Sequence, residues 1–159
     1  MKNKKIWIYI LIFFGAMAMA LKNVLSTKGK GNDKYDELFL KYAQLEGLDA
    51  KLLKAIAMNE SGQKMNFTHL EPIGGTTGIM HIKLETARDY NKKLTAEDLK
   101  NYEVQIQYAA KHLARLLKLF GNEQKAIMAY NQGEGNTLKG KTYAAEYYER
   151  FTRNKLLIG

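Results

Sequence analysis

The chain lacks cysteine and has a single proline, Pro72, and three histidines among its 159 residues. Without cysteine it can form no disulfide bridge and has no thiolate for catalysis or metal binding, so its core alone must hold the fold. A single proline leaves long stretches free to form uninterrupted helices. The spacing of His69, His81 and His112 gives no support for a metal site. We therefore expect a helical domain without a metal or a cofactor.

Long hydrophobic runs are also scarce, with one exception near the N-terminus. The basic segment MKNKK precedes IWIYILIFFGAMAMAL, an apolar run of 16 residues at positions 6–21. This run is longer than the ~7–15 apolar residues of a signal peptide and shorter than the ~20 of a membrane-spanning helix. Its length slightly favours a signal anchor, a hydrophobic helix that ends near residue 25. A cleaved signal peptide with a small-x-small site at Ala18-Met19-Ala20 stays open.

The sequence divides into three parts on this basis. Residues 1–25 are the signal anchor or signal peptide, residues 26–34 are a polar linker, and residues 35–159 are one globular domain. Because basic residues before an apolar run tend to stay in the cytoplasm, we expect the domain to be exported. It would lie in the periplasm or at the outer face of the cytoplasmic membrane, or be secreted after cleavage. A virion membrane is an alternative location.

Acidic residues are few relative to lysines, but the excess of positive charge is uneven. The net charge is +9, and seven lysines against one aspartate fall in residues 1–34, which leaves the rest of the chain at only +3. A mildly basic domain suits a polyanionic cell envelope and lacks the basic stripe typical of nucleic-acid binding. We therefore expect no nucleic-acid partner.

Beyond the linker, apolar residues recur at the i, i+3, i+4, i+7 spacing of amphipathic helices. The pattern predicts a compact, mostly α domain with helices over residues 35–46, 49–59, 85–92, 103–120, 122–130 and 142–155. Residues 61–77 are rich in glycine and threonine and predict a loop, with a small β-turn element at Gly74-Gly75-Thr76-Thr77,.

Residues with special roles at helix ends support these boundaries. The expected N-caps, capping box and stops are Asp49, Asn122, Thr95 with Asp98, Gly47, Gly121, and the pair Gly133 and Gly135,.

Glu60 lies at the end of the apolar face of the second helix, so the question is whether its side chain points to the core or to solvent. At helical spacing it shares that face with Leu53, Ile56 and Ala57,. Burial disfavours an ionised carboxylate, which suits a group that donates a proton near neutral pH. The alternative is a glutamate at a helix end whose side chain turns to solvent.

Three segments in order, AMNESG at 57–62, GTTGIMHI at 75–82 and AIMAYNQGEG at 126–135, resemble the soluble lytic transglycosylase family, relatives of goose-type lysozyme. That family has an ES pair, a GLMQ segment and an AYNAG segment. The resemblance covers about residues 35–152 and implies a lysozyme-like helical fold. It also implies that the substrate is peptidoglycan.

The resemblance implies a role for individual residues. Glu60 would be the single catalytic acid and base that cleaves the bond between N-acetylmuramic acid and N-acetylglucosamine and leaves a 1,6-anhydro end. Tyr147 is a better match to the family's late tyrosine than Tyr143 or Tyr148, and His81 stands where the family usually has glutamine. The residues implied to bind substrate are Ser61, Glu71, Met80, His81, Tyr130, Asn131 and Tyr147.

Glu71 departs from the family, which often has serine at this place in the segment Glu71-Pro72-Ile73-Gly74. A second carboxylate could activate water, and the product would then be that of a hydrolytic lysozyme, a muramidase. A further alternative is a non-catalytic wall-binding module of a phage, conjugation or secretion machine. The expected partners are peptidoglycan, the membrane through the N-terminal segment, and in the last case such an assembly.

Overall fold

The computed structural model describes residues 35–62 and 78–158, and these ranges are mostly helical. The elements are α1 (Asp36–Glu46), α2 (Ala50–Ser61), α3 (Leu84–Arg88), a 3-10 turn (Asp98–Lys100), α4 (Tyr102–Phe120), α5 (Glu123–Gln132), α6 (Glu134–Leu138) and α7 (Ala145–Leu157). The predicted mostly α domain is confirmed for the described ranges. The predicted β-turn element at 74–77 and the hydrophobic helix at the N-terminus lie outside them.

Within the described ranges, none of the helices has both the length and the apolar character needed to cross a membrane.

Most of the predicted helix ends are confirmed, and the side chains at these ends explain them. Asp49 and Asn122 accept hydrogen bonds from the backbone N–H groups of Lys51 and Lys125. These bonds satisfy donors that the first turn of a helix leaves without partners. Gly121 ends α4 in the left-handed conformation, with φ of 58°, which costs glycine little because it has no Cβ.

The capping box predicted at Thr95 and Asp98 is also present. The Thr95 N–H and hydroxyl both donate to Asp98 Oδ2, at 2.8 and 2.7 Å, and the Asp98 N–H donates back to the Thr95 hydroxyl at 3.3 Å. This closed set of hydrogen bonds starts the 3-10 turn that leads into α4.

Several helix boundaries differ from the prediction, among them the start of α7 at Ala145 rather than at residue 142. α3 ends at Arg88, because the Asn91 side chain accepts from the Lys93 N–H at 3.1 Å and donates to the Tyr108 hydroxyl at 3.2 Å. Such a side-chain turn competes with continued helix. Gly135, an expected stop, lies inside α6, since Gly133 alone ends α5, with φ of 88°.

α4 is the central element of the core. It packs against α1, α2, α3 and α5, and its predicted apolar stripe is buried: Ile106, Ala109, Ala110, Leu113 and Leu116 have no exposed surface. Burying a leucine or isoleucine side chain contributes about 1.5–3 kcal/mol each. This stripe therefore supplies much of the stability that holds the remaining helices in place.

α7 closes the domain by packing on both α2 and α5. Phe151 anchors it, with no exposed surface. Because α2 carries Glu60, α5 carries Tyr130 and α7 carries Tyr147, this packing brings these three residues to one part of the domain.

Candidate active site

Glu60 lies at the C-terminal end of α2, on the face that the sequence predicted. Leu53, Ile56 and Ala57 have no exposed surface, and only 13% of the Glu60 side chain is exposed. The alternative, in which this side chain turns to solvent, is therefore wrong. The carboxyl group of Glu60 thus lies at the end of the buried face of α2 and borders a cleft.

Each oxygen of the Glu60 carboxyl group meets a different element. The Tyr147 hydroxyl, from α7, donates to Oε1 at 2.7 Å. The His81 Nδ1 atom, from the segment before α3, lies 3.2 Å from Oε2. These two contacts, one from α7 and one from the segment before α3, fix the orientation of the carboxyl group.

Two asparagines, Asn59 and Asn154, hold the backbone of Tyr147 in place. The Asn59 amide donates to the Tyr147 carbonyl at 2.9 Å, and the Asn154 amide donates to Asn59 Oδ1 at 2.6 Å. The competing tyrosines lie elsewhere: Tyr143 is 71% exposed, and the Tyr148 ring stacks on Phe151. Of the three tyrosines that the sequence left open, Tyr147 is the one that contacts Glu60.

Burial raises the pKa of the Tyr147 hydroxyl well above its usual value, and the nearby charge of Glu60 raises it further. The same two causes raise the pKa of Tyr130. Both phenols therefore keep their protons over the whole range in which proteins are active. Tyr147 thus acts as a permanent hydrogen-bond donor to Glu60.

Tyr130 lies near the acid, since the charge of Glu60 contributes to its raised pKa. Its hydroxyl donates to the Met80 carbonyl at 2.9 Å. Tyr130 still lines the cleft beside Glu60, but its hydrogen bond fixes the backbone next to His81.

The segment that carries His81 is anchored from a second direction by Gln105. This glutamine has no exposed surface, yet its amide accepts from the Met80 N–H at 3.2 Å and donates to the Leu99 carbonyl at 2.5 Å. Gly78, with φ of 75°, passes so close to Gln105 that a Cβ at this position would overlap the amide. Only glycine fits there.

His81 itself has an unusual backbone conformation, with φ of 44°. Positive φ values are uncommon in residues other than glycine and cost about 1 kcal/mol or more. Such strain persists where the surrounding structure enforces it, and it is frequent at functional sites. Here the contacts of Met80 with Gln105 and Tyr130 enforce it.

Met80 and Ser61 were both predicted to bind substrate, and the structure shows what surrounds each of them. The Met80 side chain is fully buried in the core, and its backbone groups are the ones that hold the segment next to His81. The Ser61 hydroxyl donates to the Ala57 carbonyl at 2.5 Å, one turn back in α2. This bond matches the role of a polar residue at a helix end.

Glu60 opens into a cleft of about 540 Å³. From the predicted set, His81, Tyr130 and Asn131 line the same cleft, and Asn131 is exposed in it. Glu71 lies outside the described residues. Sequence reasoning missed the other polar lining residues: Lys83, Thr86, Asp89, His112, Arg115, Gln132 and Glu134.

Four of the residues in and behind the cleft form an arginine cluster, which comprises Tyr90, His112, Arg115 and Glu134. Arg115 forms an ion pair with Glu134, and this contact raises the pKa of the guanidinium. The Tyr90 hydroxyl lies 3.3 Å from His112 Nδ1. Burial, with a smaller contribution from the positive charge of Arg115, lowers the pKa of His112 to about 4.

Nothing in the sequence pattern singled out the arginine cluster. Arg115 and Glu134 belong to different helices and are 19 positions apart. A polar residue at the edge of an amphipathic stripe normally faces solvent, so these side chains gave no separate signal.

No group of three or more histidine, aspartate or glutamate side chains within the described ranges is arranged to hold a metal ion. The polar side chains of the cleft instead suit hydrogen bonding to a neutral or charged organic ligand.

Comparison with known proteins gives a consistent match. The family model described as the transglycosylase SLT domain matches residues 37–151. The chain is 38% identical over 105 residues to peptidoglycan transglycosylase gp16 of Escherichia phage T7, a match that covers 64% of this chain and 8% of the phage protein. The chain thus spans less than a tenth of the length of that relative.

A solved structure has a similar fold. It is the X-ray structure of an inactive glutamate-to-glutamine mutant of lytic transglycosylase Slt from Pseudomonas aeruginosa, with a TM-score of 0.58 and 22% identity over 77% of this chain and 22% of that chain. At this identity the likeness shows the fold alone. Because the family model spans nearly all of the helical domain, from α1 to α7, this chain belongs to the transglycosylase SLT domain family.

Proposed function

We propose that this chain is a peptidoglycan lytic transglycosylase in which Glu60 acts first as the acid and then as the base. One observation carries the proposal: a mostly buried carboxyl group opens into a large polar cleft and is oriented by Tyr147 at 2.7 Å. The family to which the chain belongs and the name of its phage relative support it.

In the first step, Glu60 gives its proton to the glycosidic oxygen between N-acetylmuramic acid and N-acetylglucosamine. The bond from C1 to that oxygen breaks, and positive charge develops on the muramic acid ring. Glu60 becomes a carboxylate in this step. The Tyr147 hydroxyl donates to Oε1, and a donor at this atom stabilises the developing negative charge.

In the second step, the C6 hydroxyl of the same sugar attacks C1, and the Glu60 carboxylate takes the proton of that hydroxyl. The product has a 1,6-anhydro ring, no water is consumed, and Glu60 is again protonated. One carboxyl group therefore suffices, whereas glycoside hydrolases of the usual kind need two.

Substrate contacts would come from the polar residues of the cleft. Asn131 is exposed there, and its amide can both donate to and accept from an N-acetyl group. Tyr130 contributes indirectly, because its hydroxyl holds the Met80 carbonyl. Ser61 and Met80 would support the site through the helix end and the backbone.

The cell wall would be reached from outside the cytoplasmic membrane. The basic segment and the apolar run at positions 6–21 support export and a membrane anchor,. The phage source of the relative supports local wall opening for the passage of a phage or a similar machine. Fractionation of cells that produce the full chain tests the location, and recovery with the cytoplasm would contradict it.

The activity is tested on purified sacculi with wild type, Glu60→Gln and Glu71→Gln in parallel, and with products analysed by mass spectrometry. We expect anhydro products from the wild type and at least a 100-fold loss in Glu60→Gln, since a general acid contributes about 10²–10⁴ in rate. Products that carry the mass of one added water, lost in Glu71→Gln, would instead identify a muramidase.

A matched control replaces a glutamate outside the cleft. Glu97 is 77% exposed, and Glu97→Gln should leave wall cleavage at the wild-type rate. Circular dichroism and thermal unfolding of each variant exclude loss of the fold. Intact sacculi after incubation with folded wild type would contradict the proposal and favour a non-catalytic wall-binding module.

A further inference from the structure

Gln132, the last residue of α5, lines the cleft but uses its side chain to bind the connection between α5 and α7. Its Nε2 atom donates to the Thr137 hydroxyl at 2.9 Å and to the Lys141 carbonyl at 2.8 Å. Its Oε1 atom accepts from the Ala144 N–H at 2.8 Å. A carbonyl only accepts and a backbone N–H only donates, so these partners determine which way the amide is turned. Both N–H groups of the amide are therefore used within the protein rather than offered to a substrate.

The start of α7 has no side chain of its own as a cap. Ala144 occupies the N-cap position without a side-chain hydrogen bond, and its N–H donates to Gln132 instead. In a capping box, the third residue of the helix reaches back to this N–H. That residue is Tyr147 in α7, and its hydroxyl donates to Glu60 Oε1 at 2.7 Å. Gln132 thus supplies from α5 a contact that α7 does not make for itself.

We propose that Gln132 is a positioning residue, which fixes the first turn of α7 and thereby holds the Tyr147 hydroxyl on Glu60. One turn of helix joins Ala144 to Tyr147, and it is closed by the Tyr148 N–H, which donates to the Ala144 carbonyl at 3.0 Å. Because a helical turn moves as a unit, a displacement of Ala144 displaces the Tyr147 ring.

Further contacts hold α7 from Tyr147 onward. The Asn59 amide donates to the Tyr147 carbonyl at 2.9 Å, and the Asn154 amide donates to Asn59 Oδ1 at 2.6 Å. Ala144 is itself buried, so loss of the Gln132 side chain should loosen the first turn without unfolding α7. The expected consequence is a less well placed hydroxyl in a folded protein.

This inference rests on the proposed function for its kinetic test. The constants kcat and KM on soluble peptidoglycan fragments are measured for wild type, Gln132→Met, Tyr147→Phe and the double variant. Methionine has a similar length but no N–H donor and only a weak acceptor, so it removes the three hydrogen bonds. We expect kcat to fall about 3- to 10-fold in Gln132→Met with little change in KM, because the loss cannot exceed that of the Tyr147 hydroxyl itself.

The double variant separates this role from a general one. In Tyr147→Phe the hydroxyl that Gln132 positions is absent, so Gln132→Met should lower kcat by less than about 1.5-fold in that background. An equal fold-loss in both backgrounds would overturn the inference. A higher KM with unchanged kcat would also overturn it, since Gln132 would then be a substrate-binding residue.

Gln124→Met is the matched control, because Gln124 is exposed on the same helix and does not line the cleft. It should keep the kcat and KM of wild type. Gln132→Ala guards against a poor fit of methionine, since alanine stands at this place in the AYNAG segment that the sequence resembles. A wild-type kcat in Gln132→Ala would overturn the inference.

A second measurement does not depend on cleavage of peptidoglycan. The Tyr147 hydroxyl is buried and bonded to Glu60, and its proton resonance is assigned by NMR from its absence in Tyr147→Phe. We expect this proton to exchange with water at least about fivefold faster in Gln132→Met than in wild type or Gln124→Met. Unchanged exchange in Gln132→Met would overturn the inference. Faster exchange together with an inactive wild type would overturn only the proposed function.

Discussion

His81 and His112 line the same cleft in opposite settings. His81 is 30% exposed and faces the carboxyl group of Glu60. The ring centroids of His112 and Tyr130 are 5.7 Å apart, and Arg115 lies close to His112. Burial, with the arginine, lowers the pKa of His112 to about 4, so this imidazole is uncharged near neutral pH. His81 contacts the acid, whereas His112 is a neutral aromatic side chain in the wall of the cleft.

The difference shows how one cleft can combine a reactive and a passive part. A group whose charge must change needs access to water and an opposite partner, because desolvation penalises the ion. A group that shapes the cleft is better held neutral or in a fixed pair, as Arg115 is by Glu134. Glu60, whose charge changes in the proposed reaction, belongs to the first kind. Tyr147 and the arginine cluster belong to the second.

The largest effect is expected where the support of His81 is removed. Gly78→Ala would force alanine into a positive φ of 75° and push the new Cβ into the buried Gln105 amide. The strain costs about 1–2 kcal/mol, and loss of a buried hydrogen bond costs about 1–3 kcal/mol more. We expect the free energy of unfolding to fall by about 3 kcal/mol, measured with urea at pH 7.

Gly140→Ala is the matched control. Gly140 has nearly the same φ, 70°, but a Cβ there would meet no atom within 4 Å. Only the backbone strain applies, so this variant should lose about 1 kcal/mol. Equal losses in the two variants would mean that the close approach to Gln105 has no role in holding the segment.

The second-largest effect is expected when the hydrogen-bond donor to Glu60 is removed. Tyr147→Phe removes the hydroxyl at 2.7 Å from Oε1, and a hydrogen bond to a charged group is worth about 1.5–3 kcal/mol. We expect kcat to fall about 10- to 100-fold with little change in KM, because the bond stabilises the carboxylate formed during reaction. Steady-state kinetics on soluble fragments measure this split.

Tyr148→Phe is the control for this variant. Tyr148 is the next residue of α7, and its ring stacks on Phe151. Replacing it by phenylalanine keeps the stacked ring, so the rate should stay within about twofold of wild type. A rate that falls as far as in Tyr147→Phe would contradict the assignment of Tyr147.

The sequence predicted the features that depend on local interactions. Caps such as Asp49 and Asn122 act within three residues, and the direction of Glu60 follows from helical spacing within α2. The sequence also favoured Tyr147 over its neighbours, but only through the resemblance. Its contact with Glu60 joins residues 87 positions apart, which no periodicity can encode.

The features that were missed have the same physical origin. Gln105 interrupts the apolar face of α4, and its partner Met80 lies 25 positions away. A glutamine next to Ile106 suggests a helix edge, since buried polar residues are rare unless they are hydrogen bonded. The core position of the Met80 side chain depends on the same long-range packing.

The smallest effect tests the other histidine through stability. His112 has a pKa of about 4 in the folded protein and about 6.5 when unfolded. As pH falls through 6.5 the unfolded chain takes up a proton first, so stability is lost between pH 6.5 and 4. From pH 7 to 5 this amounts to about 2 kcal/mol at most.

His112→Phe keeps an aromatic ring against Tyr130 and cannot be protonated. The variant loses the contact with Tyr90, which lowers stability by about 1 kcal/mol at every pH. Its urea-measured stability should therefore change less than that of wild type between pH 7 and 5. In His81→Asn, by contrast, the loss that belongs to His112 should persist. Equal losses of stability between pH 7 and 5 in wild type and His112→Phe would contradict the lowered pKa of His112.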